Sequence, residues 1–332
     1  LQRPTRIESG VGLSRVDIGD IYDRAHVVAL PMAVPFRGIT TREALLIDGP
    51  AGWGEFAPFV EYGDAEAATW LAAALEAAYV GYDDLDIGDG WVEVNGTVPA
   101  VSPEQVPEVL ERYPSARTFK IKVAEKGQTL DDDAARVNAV RSLRPDAALR
   151  VDANGGWTVD EAVRAAEALG ELEYIEQPCA TVEELAEVRR SVSTPVAADE
   201  SIRKVTDPYR VAELGAADVA VAKVAPLGGV RRLMQISSDL GLRVTVASAL
   251  DTAVGIRTGL IAAKAAGSQA AGLATQRLFV EDVAEPFEFV DGRMRIADIA
   301  PDPDRLATLA APGERKDWWF ERLRRCCTYL GD

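Results

Sequence analysis

A chain of 332 residues with 48% hydrophobic and 27% charged side chains has the balance of a soluble globular enzyme, with room for one large α/β barrel and a smaller attachment. Its formal charge of −17 repels phosphate backbones and argues against a nucleic-acid partner, and no run approaches the ~18 apolar residues of a membrane span. Three cysteines, two of them vicinal at Cys326-Cys327, make no disulfide framework, and Leu1-Gln2-Arg3-Pro4 lacks an apolar export segment, so a cytoplasmic setting is expected.

Residues 1–90 show no regular alternation. Val27-Val28-Ala29-Leu30 and Ala44-Leu45-Leu46-Ile47-Asp48 read as strands, and Asp64 to Ala78 as a helix. The Gly- and Pro-punctuated segments Pro35 to Arg42 and Gly52 to Pro58 have the composition of binding loops. From Trp91 a strict pitch begins. Strands are predicted near 91–98, 118–123, 148–153, 173–177, 195–199, 219–224, 243–248 and 271–275.

Helical patterns fill the gaps: Pro103 to Tyr113, Leu130 to Leu143, Val159 to Leu169, Val182 to Ser191, Val205 to Leu214, Val230 to Leu240 and Ala253 to Ala266. Ser102 before Pro103, and Thr158 with Glu161 three residues on, are helix-start signals. Eight strands with seven intervening helices give a (β/α)8-type, TIM-like barrel. The expected organisation is an α+β capping domain over residues 1–90, a barrel catalytic domain over 91–280, and a segment 281–332 that packs back onto the first region through the helix around Trp318-Trp319-Phe320.

Several predicted strands end in charge. Lys120 and Lys122 fall on the second strand, Asp152 on the third, Glu176 on the fourth, Asp199 on the fifth and Lys223 on the sixth. The last four follow one another at 24, 23 and 24 residues. Period-two alternation puts Lys120 and Lys122 on one face, and likewise Arg150, Asp152 and Asn154. In a ring of eight, strands 2 and 6 are opposite, so three carboxylates lie along one arc between facing lysines. Lysine is otherwise scarce: 29 of the 36 basic residues are Arg. Where Arg serves every general need for positive charge, a buried Lys points to work that needs a titratable amine.

Three converging carboxylates need a cation, and oxygen ligands alone favour Mg2+, with Mn2+ as a substitute. A small-molecule carboxylate bound there would place its α-carbon between the lysines, one of which takes the proton while the metal stabilises the charge left behind. A strand-end carboxylate often merely caps the next helix. Three at matched pitch are poorly explained that way. His26 is the only histidine, which excludes histidine metal sites and Ser-His-Asp chemistry. Cys179 reads as packing, and Gly155-Gly156 and Gly228-Gly229 as turn glycines, the latter also able to admit an anion at a helix start.

The set Lys120-x-Lys122, Asp152-x-Asn154, Glu176-Gln177-Pro178, Ala198-Asp199-Glu200-Ser201 and Lys223 with Gly228-Gly229 resembles the muconate-lactonizing-enzyme subgroup of the enolase superfamily. Lys bases with Mg2+ are a known pattern of that superfamily. Within the subgroup, Val94 to Pro99, Arg150 and Ala247 to Gly255 are similar to the o-succinylbenzoate synthase family of menaquinone biosynthesis. The resemblance implies dehydration of a cyclohexadiene carboxylate bearing a succinyl chain. It makes Lys122 the base, Lys223 a protonated partner, and Asp152, Glu176 and Asp199 the metal ligands. It makes Lys120, Arg150, Asn154 and Ser248 substrate-binding, with the loops at Pro35 to Arg42 and Phe56 to Pro58 at the succinyl end. Racemases of N-acylamino acids carry the same five central residues and are the alternative. Dipeptide epimerases usually show Asp-x-Asp near the last strand, where this chain has Leu273-Ala274-Thr275. A catalytically silent binding protein on the same fold is the non-enzyme alternative, and the sequence carries no marker of oligomeric state.

Overall fold

The computed structural model describes residues 18–36, 39–203 and 207–330. The chain opens with helix α1 (Ile18–Asp23) and an antiparallel sheet of β1 (Ala25–Phe36), β2 (Ile39–Gly49) and β3 (Gly52–Phe56), followed by helix α2 (Asp64–Leu75). Gly49 and Gly54 let α2 lie flat on this sheet: a Cβ at either would fall within 2.1 Å of a backbone carbonyl oxygen of residues 74–78. The segment Pro35 to Arg42, expected as a loop, is mostly strand: β1 runs to Phe36 and β2 starts at Ile39, while residues 37–38 lie outside the described residues.

The predicted strand 91–98 is two strands. β4 (Trp91–Glu93) pairs antiparallel with the hairpin of β12 (Phe289–Val290) and β13 (Arg293–Arg295), whereas β5 (Gly96–Val98) begins the parallel sheet. Asn95 divides them: its buried amide donates to Gly96 O at 3.0 Å and accepts from Arg150 at 3.3 Å, which serves a bend rather than a ladder. The parallel sheet continues through β6 (Thr118–Lys122), β7 (Ala148–Asp152), β8 (Tyr174–Glu176), β9 (Val196–Ala198), β10 (Val219–Ala222) and β11 (Arg243–Val246) in strict neighbour order.

The eighth position is taken by Ala271 and Gly272, a shorter stretch than the predicted 271–275. Their backbone bonds both ends of the sheet, with Gly272 N donating to Val246 O at 2.8 Å and Asn95 N donating to Ala271 O at 3.0 Å. The ring is thereby closed. Gly272 sits against Ala247, 3.2 Å from where its own Cβ would stand, so a larger residue would push this seam apart.

Helices α3 (Val106–Glu111), α4 (Leu130–Leu143), α5 (Val159–Ala168), α6 (Val182–Ser191), α7 (Asp207–Glu213), α8 (Val224–Leu227), α9 (Val230–Leu240) and α10 (Ala253–Ala265) connect the strands. Local chemistry sets their starts. Thr129, Thr158 and Thr181 each cap a helix reciprocally with an acid three residues on, so each helix begins at a fixed distance from the strand before it. The residues just past several strand ends, Ala124, Asn154, Gln177 and Leu250, have φ between 39° and 61°, a left-handed turn that swings the chain off the rim. After α11 (Pro303–Thr308), helix α12 (Gly313–Cys327) returns to pack on α2. No helix among the described residues is long and apolar enough to cross a membrane.

Two glutamates of the first region fasten it to the barrel, each at the start of a helix. Glu76 begins a π-helical turn (Glu76–Val80) and accepts from Val230 N at 2.9 Å, at the start of α9. The anion suggested for Gly228-Gly229 is thus the chain's own carboxylate; a Cβ on Gly229 would lie 2.5 Å from Glu76 Oε2. Glu55 accepts from Thr252 Oγ1 at 2.6 Å, Thr252 N at 3.0 Å and Gly255 N at 2.9 Å, at the start of α10.

Burial, and then the neighbouring Asp251, push the Glu55 carboxyl up to about 8 from its ordinary 4.5. Between those values the folded chain keeps a proton that the unfolded chain releases. This group's contribution to stability is therefore full below about pH 4.5 and is lost as pH rises through about 8. A Glu55→Gln variant, which cannot ionise, is expected to lose less stability than the native chain between about pH 6 and about pH 9. Thermal melts at both pH values check this, and parallel losses in the two proteins would refute it.

Candidate active site

The strand ends bring the charged groups to one rim. In register, Lys122 lies opposite Asp152 and Asp152 opposite Glu176, each the last residue of its strand; Asp199 and Lys223 directly follow β9 and β10. Lys122 Nζ donates to Asp152 Oδ2 at 2.5 Å and to Asn154 Oδ1 at 2.7 Å. Lys120 Nζ, one layer deeper, donates to Glu176 Oε1 at 2.7 Å and stands 3.6 Å from Asp152. Across the ring, Lys223 donates to Asp199 Oδ1, and Arg203 reaches Asp199 Oδ2 at 3.3 Å and Glu200 at 2.7 Å.

Gln177 fixes Asp199 from below: its Oε1 accepts from Asp199 N at 3.0 Å and from Ser201 N at 3.2 Å. Asn154 Nδ2 donates to Glu200 at 3.1 Å, tying the third-strand turn to the fifth.

Burial and mutual charge decide the protonation states. Glu176 is pushed up to about 7, by burial first and then by Asp152. For Asp152 burial opposes the charged form, but Lys122 and Lys120 prevail and hold it down at about 2. Burial likewise opposes charge on Asp199, which Lys223 and Arg203 hold well below the usual carboxylate range. Burial also disfavours the Lys120 ammonium, yet Glu176 and Asp152 keep it above its ordinary value. For Lys223 burial wins: its amine is shifted down, with Asp199 opposing and Arg203 adding.

Above this rim lies a pocket whose floor is Lys120, Lys122, Asp152, Asp199, Arg203 and Lys223. Its opposite wall is apolar and comes from the first region: Phe59, Tyr62 and Trp70, with Leu250 and Leu278 from the barrel. Ser248 also faces it, its hydroxyl 2.7 Å from that of Thr275.

Two sequence expectations are corrected. Phe56 to Pro58 does not form the wall: Phe56 is buried edge-on against Trp319, and the wall begins at Phe59. Arg150 does not line the pocket. Alternation places it two residues down β7, fully buried, where it donates to Glu173 at 2.7 Å and Ala270 O at 2.7 Å and stacks on Tyr174. Its place is the barrel seam. Cys179 is fully buried with its thiol pushed up to about 12, and His26 is exposed beside Trp53; neither approaches the site. Sequence reasoning missed Arg203 and the aromatic wall. Arg203 could have been found from its place four residues after Asp199, at the rim of a strand; the aromatics carry no comparable signal.

Two buried arginines hold the wall in place. Arg42 donates to Ala57 O and to Leu250 O (3.0 Å) while its guanidinium lies 4.5 Å over the Phe59 ring. Arg322, on α12, donates to Pro58 O at 3.2 Å, Phe59 O at 2.9 Å and Tyr62 O at 2.7 Å.

A capped barrel with lysines and carboxylates on these strands defines a class. Residues 104–302 match the enolase C-terminal domain-like family model and residues 27–78 the enolase N-terminal domain-like model. The fold is shared with solved structures: muconate lactonizing enzyme (22% identical, TM-score 0.73, covering 87% of this chain and 98% of that one) and the N-succinyl Arg/Lys racemase of Bacillus cereus (18%, TM-score 0.74, 87% and 97%). The chain belongs to the enolase superfamily.

Among its relatives, the o-succinylbenzoate synthase of Mycolicibacterium smegmatis is 60% identical over 314 residues, covering 93% of this chain and 97% of the relative. That of Mycobacterium marinum is 57% identical over 316 residues, covering 94% and 95%. Within the superfamily the chain is a member of the o-succinylbenzoate synthase family.

Membership of the superfamily implies a divalent cation. Among the described residues no three carboxylates are gathered about one point, because each is drawn onto a cationic side chain. The donor set nevertheless fits such an ion. It consists of hard oxygens on three consecutive strands, and Glu176 Oε2 is buried without a hydrogen-bond partner.

Replacing Arg322 by Met is expected to destabilise the chain by ~2–4 kcal/mol, since three carbonyls lose a charged donor. The Michaelis constant should rise several-fold while turnover at saturation falls little. Urea titration and steady-state kinetics measure the two effects; an unchanged Michaelis constant would show that Arg322 does not hold the wall.

Proposed function

We propose that this chain is an o-succinylbenzoate synthase, dehydrating 2-succinyl-6-hydroxy-2,4-cyclohexadiene-1-carboxylate to 2-succinylbenzoate. The observation that carries the reading is the placement of Lys120 and Lys122 on one side of the rim and Lys223 on the other, with Asp152, Glu176 and Asp199 on the strands between. The pocket above them pairs a charged floor with an apolar wall, as a cyclic carboxylate with an uncharged ring requires.

Asp152, Glu176 and Asp199 would hold Mg2+, which when bound supplies fixed positive charge for the substrate carboxylate. Lys122 Nζ takes the proton from the carbon α to that carboxylate. Lys120, kept charged by Glu176 and Asp152, and Lys223 from the far side offset the negative charge that builds up as the proton leaves. The proton on Lys122 then passes to the departing hydroxyl, so water leaves and the ring becomes aromatic. Asn154 steers Lys122 through its 2.7 Å contact, and Ser248 faces the substrate from the seventh strand.

Lys223 stands across the rim from Lys122, so the geometry also admits a second assignment in which the two lysines exchange roles. Arginine separates them, because its guanidinium supplies charge but gives up no proton. With Lys122 as base, Lys122→Arg should lose ~10²–10⁴-fold in turnover while Lys223→Arg retains measurable activity. The opposite ranking would assign the proton transfer to Lys223. EDTA should abolish turnover and added Mg2+ restore it; activity that survives chelation would end the metal-assisted reading.

A further inference from the structure

Among the described residues, Arg203 is the one arginine that lines the pocket above the lysines. It stands four residues after Asp199, across the 3-10 turn Glu200–Ile202 that follows β9. Its side chain is 16% exposed, so the guanidinium is partly open rather than sealed.

Only one edge of that guanidinium is committed. Nε donates to Asp199 Oδ1 at 3.4 Å, and Nη2 donates to Asp199 Oδ2 at 3.3 Å and to Glu200 Oε1 at 2.7 Å. Nε and Nη2 share an edge of the planar group, so both carboxylates lie to the same side. Nη1, at the remaining corner, makes no hydrogen bond among the described residues, and it is not one of their buried, unpartnered polar atoms. It therefore keeps two N–H groups with open surface. The guanidinium also lies near enough to Tyr62, on the apolar wall, for the phenol to bear on its charge.

The other cations of the site are differently engaged. Lys120 is held by Glu176 at 2.7 Å and Lys223 by Asp199, while Lys122, tied to Asp152 and Asn154, has a proton to carry. Arg42 and Arg322 spend donors on backbone carbonyls. A substrate with two carboxylates that sets one among the lysines has a second to balance. A carboxylate left against an apolar wall without a partner is strongly disfavoured. Arginine suits the task, because it stays charged and presents its donors in a fixed plane.

We propose that Arg203 Nη1 donates to the terminal carboxylate of the substrate's side chain, and that Arg203 thereby selects an acid over a neutral group at that end. This rests on the proposed synthase function and deepens it. The contacts with Asp199 and Glu200 hold the guanidinium still, so the second carboxylate meets a donor already oriented.

The test is calorimetric binding of 2-succinylbenzoate and of the analogue whose terminal carboxylate is a primary amide, similar in shape but uncharged. Full-length native protein is compared with Arg203→Gln and Arg203→Lys, each at saturating Mg2+. Because Arg203 also touches Asp199, Mn2+ affinity without ligand is measured for all three proteins by electron paramagnetic resonance, which sets the metal concentration each needs.

Native protein is expected to prefer the acid to the amide by about tenfold or more. In Arg203→Gln that preference should fall toward unity, through weaker binding of the acid alone. Arg203→Lys, whose single ammonium cannot hold Glu200 and reach the ligand together, should lose most of it, and it decides the matter should the first variant fail to fold. A residue that only steadied Asp199 would weaken acid and amide alike; an unchanged ratio in either variant would therefore overturn the assignment. Native protein that binds both ligands equally would overturn it as well. Native protein that neither binds 2-succinylbenzoate nor forms it from the cyclohexadiene would instead remove the synthase reading, and the inference with it.

Discussion

Negative charge buried at the ends of three neighbouring strands is the constraint from which the rest of the molecule follows. Asp152, Glu176 and Asp199 are each no more than 3% exposed. Carboxylates so far from water persist only with positive charge or donors against them. The lysines and Arg203 supply the charge, and the turn backbone supplies a donor, Asn154 N to Asp152. A parallel barrel suits this arrangement because each charged residue leaves a strand held on both sides, so the backbone fixes the spacing before any side chain meets its partner. Stability and chemistry therefore draw on the same residues.

The sequence displayed this part of the molecule because its signal is doubly periodic. Strand pitch located the rim, and alternation within β6 and β7 located the inward face, so the charged residues were legible from spacing alone. Alternation also over-reached. It grouped Arg150 with Asp152, which is right for the face and wrong for the depth, and depth is not encoded in a period of two. The split at Asn95 and the short seam at Ala271 and Gly272 were hidden for a related reason. Both are decided by which partner a backbone meets across the ring, and local propensity does not report that.

The aromatic wall was invisible for another reason. Phe59, Tyr62 and Trp70 look like core residues in sequence, and two of their neighbours, Phe56 and Leu71, are core. What holds Phe59 and Tyr62 at the pocket is the grip of Arg42 and Arg322 on the segment's backbone carbonyls, from strands and helices as much as 264 residues away along the chain. A long-range polar contact to backbone carries no identity code, because any residue offers the carbonyl.

The glutamates seated at the starts of α9 and α10 bear on what the barrel is able to accept. In barrels of this architecture the helix starts beyond the later strands are natural berths for phosphoryl groups, since unpaired backbone N–H groups point outward there. Glu76 and Glu55 occupy two of those berths with the chain's own oxygens. A phosphorylated metabolite would find both already taken.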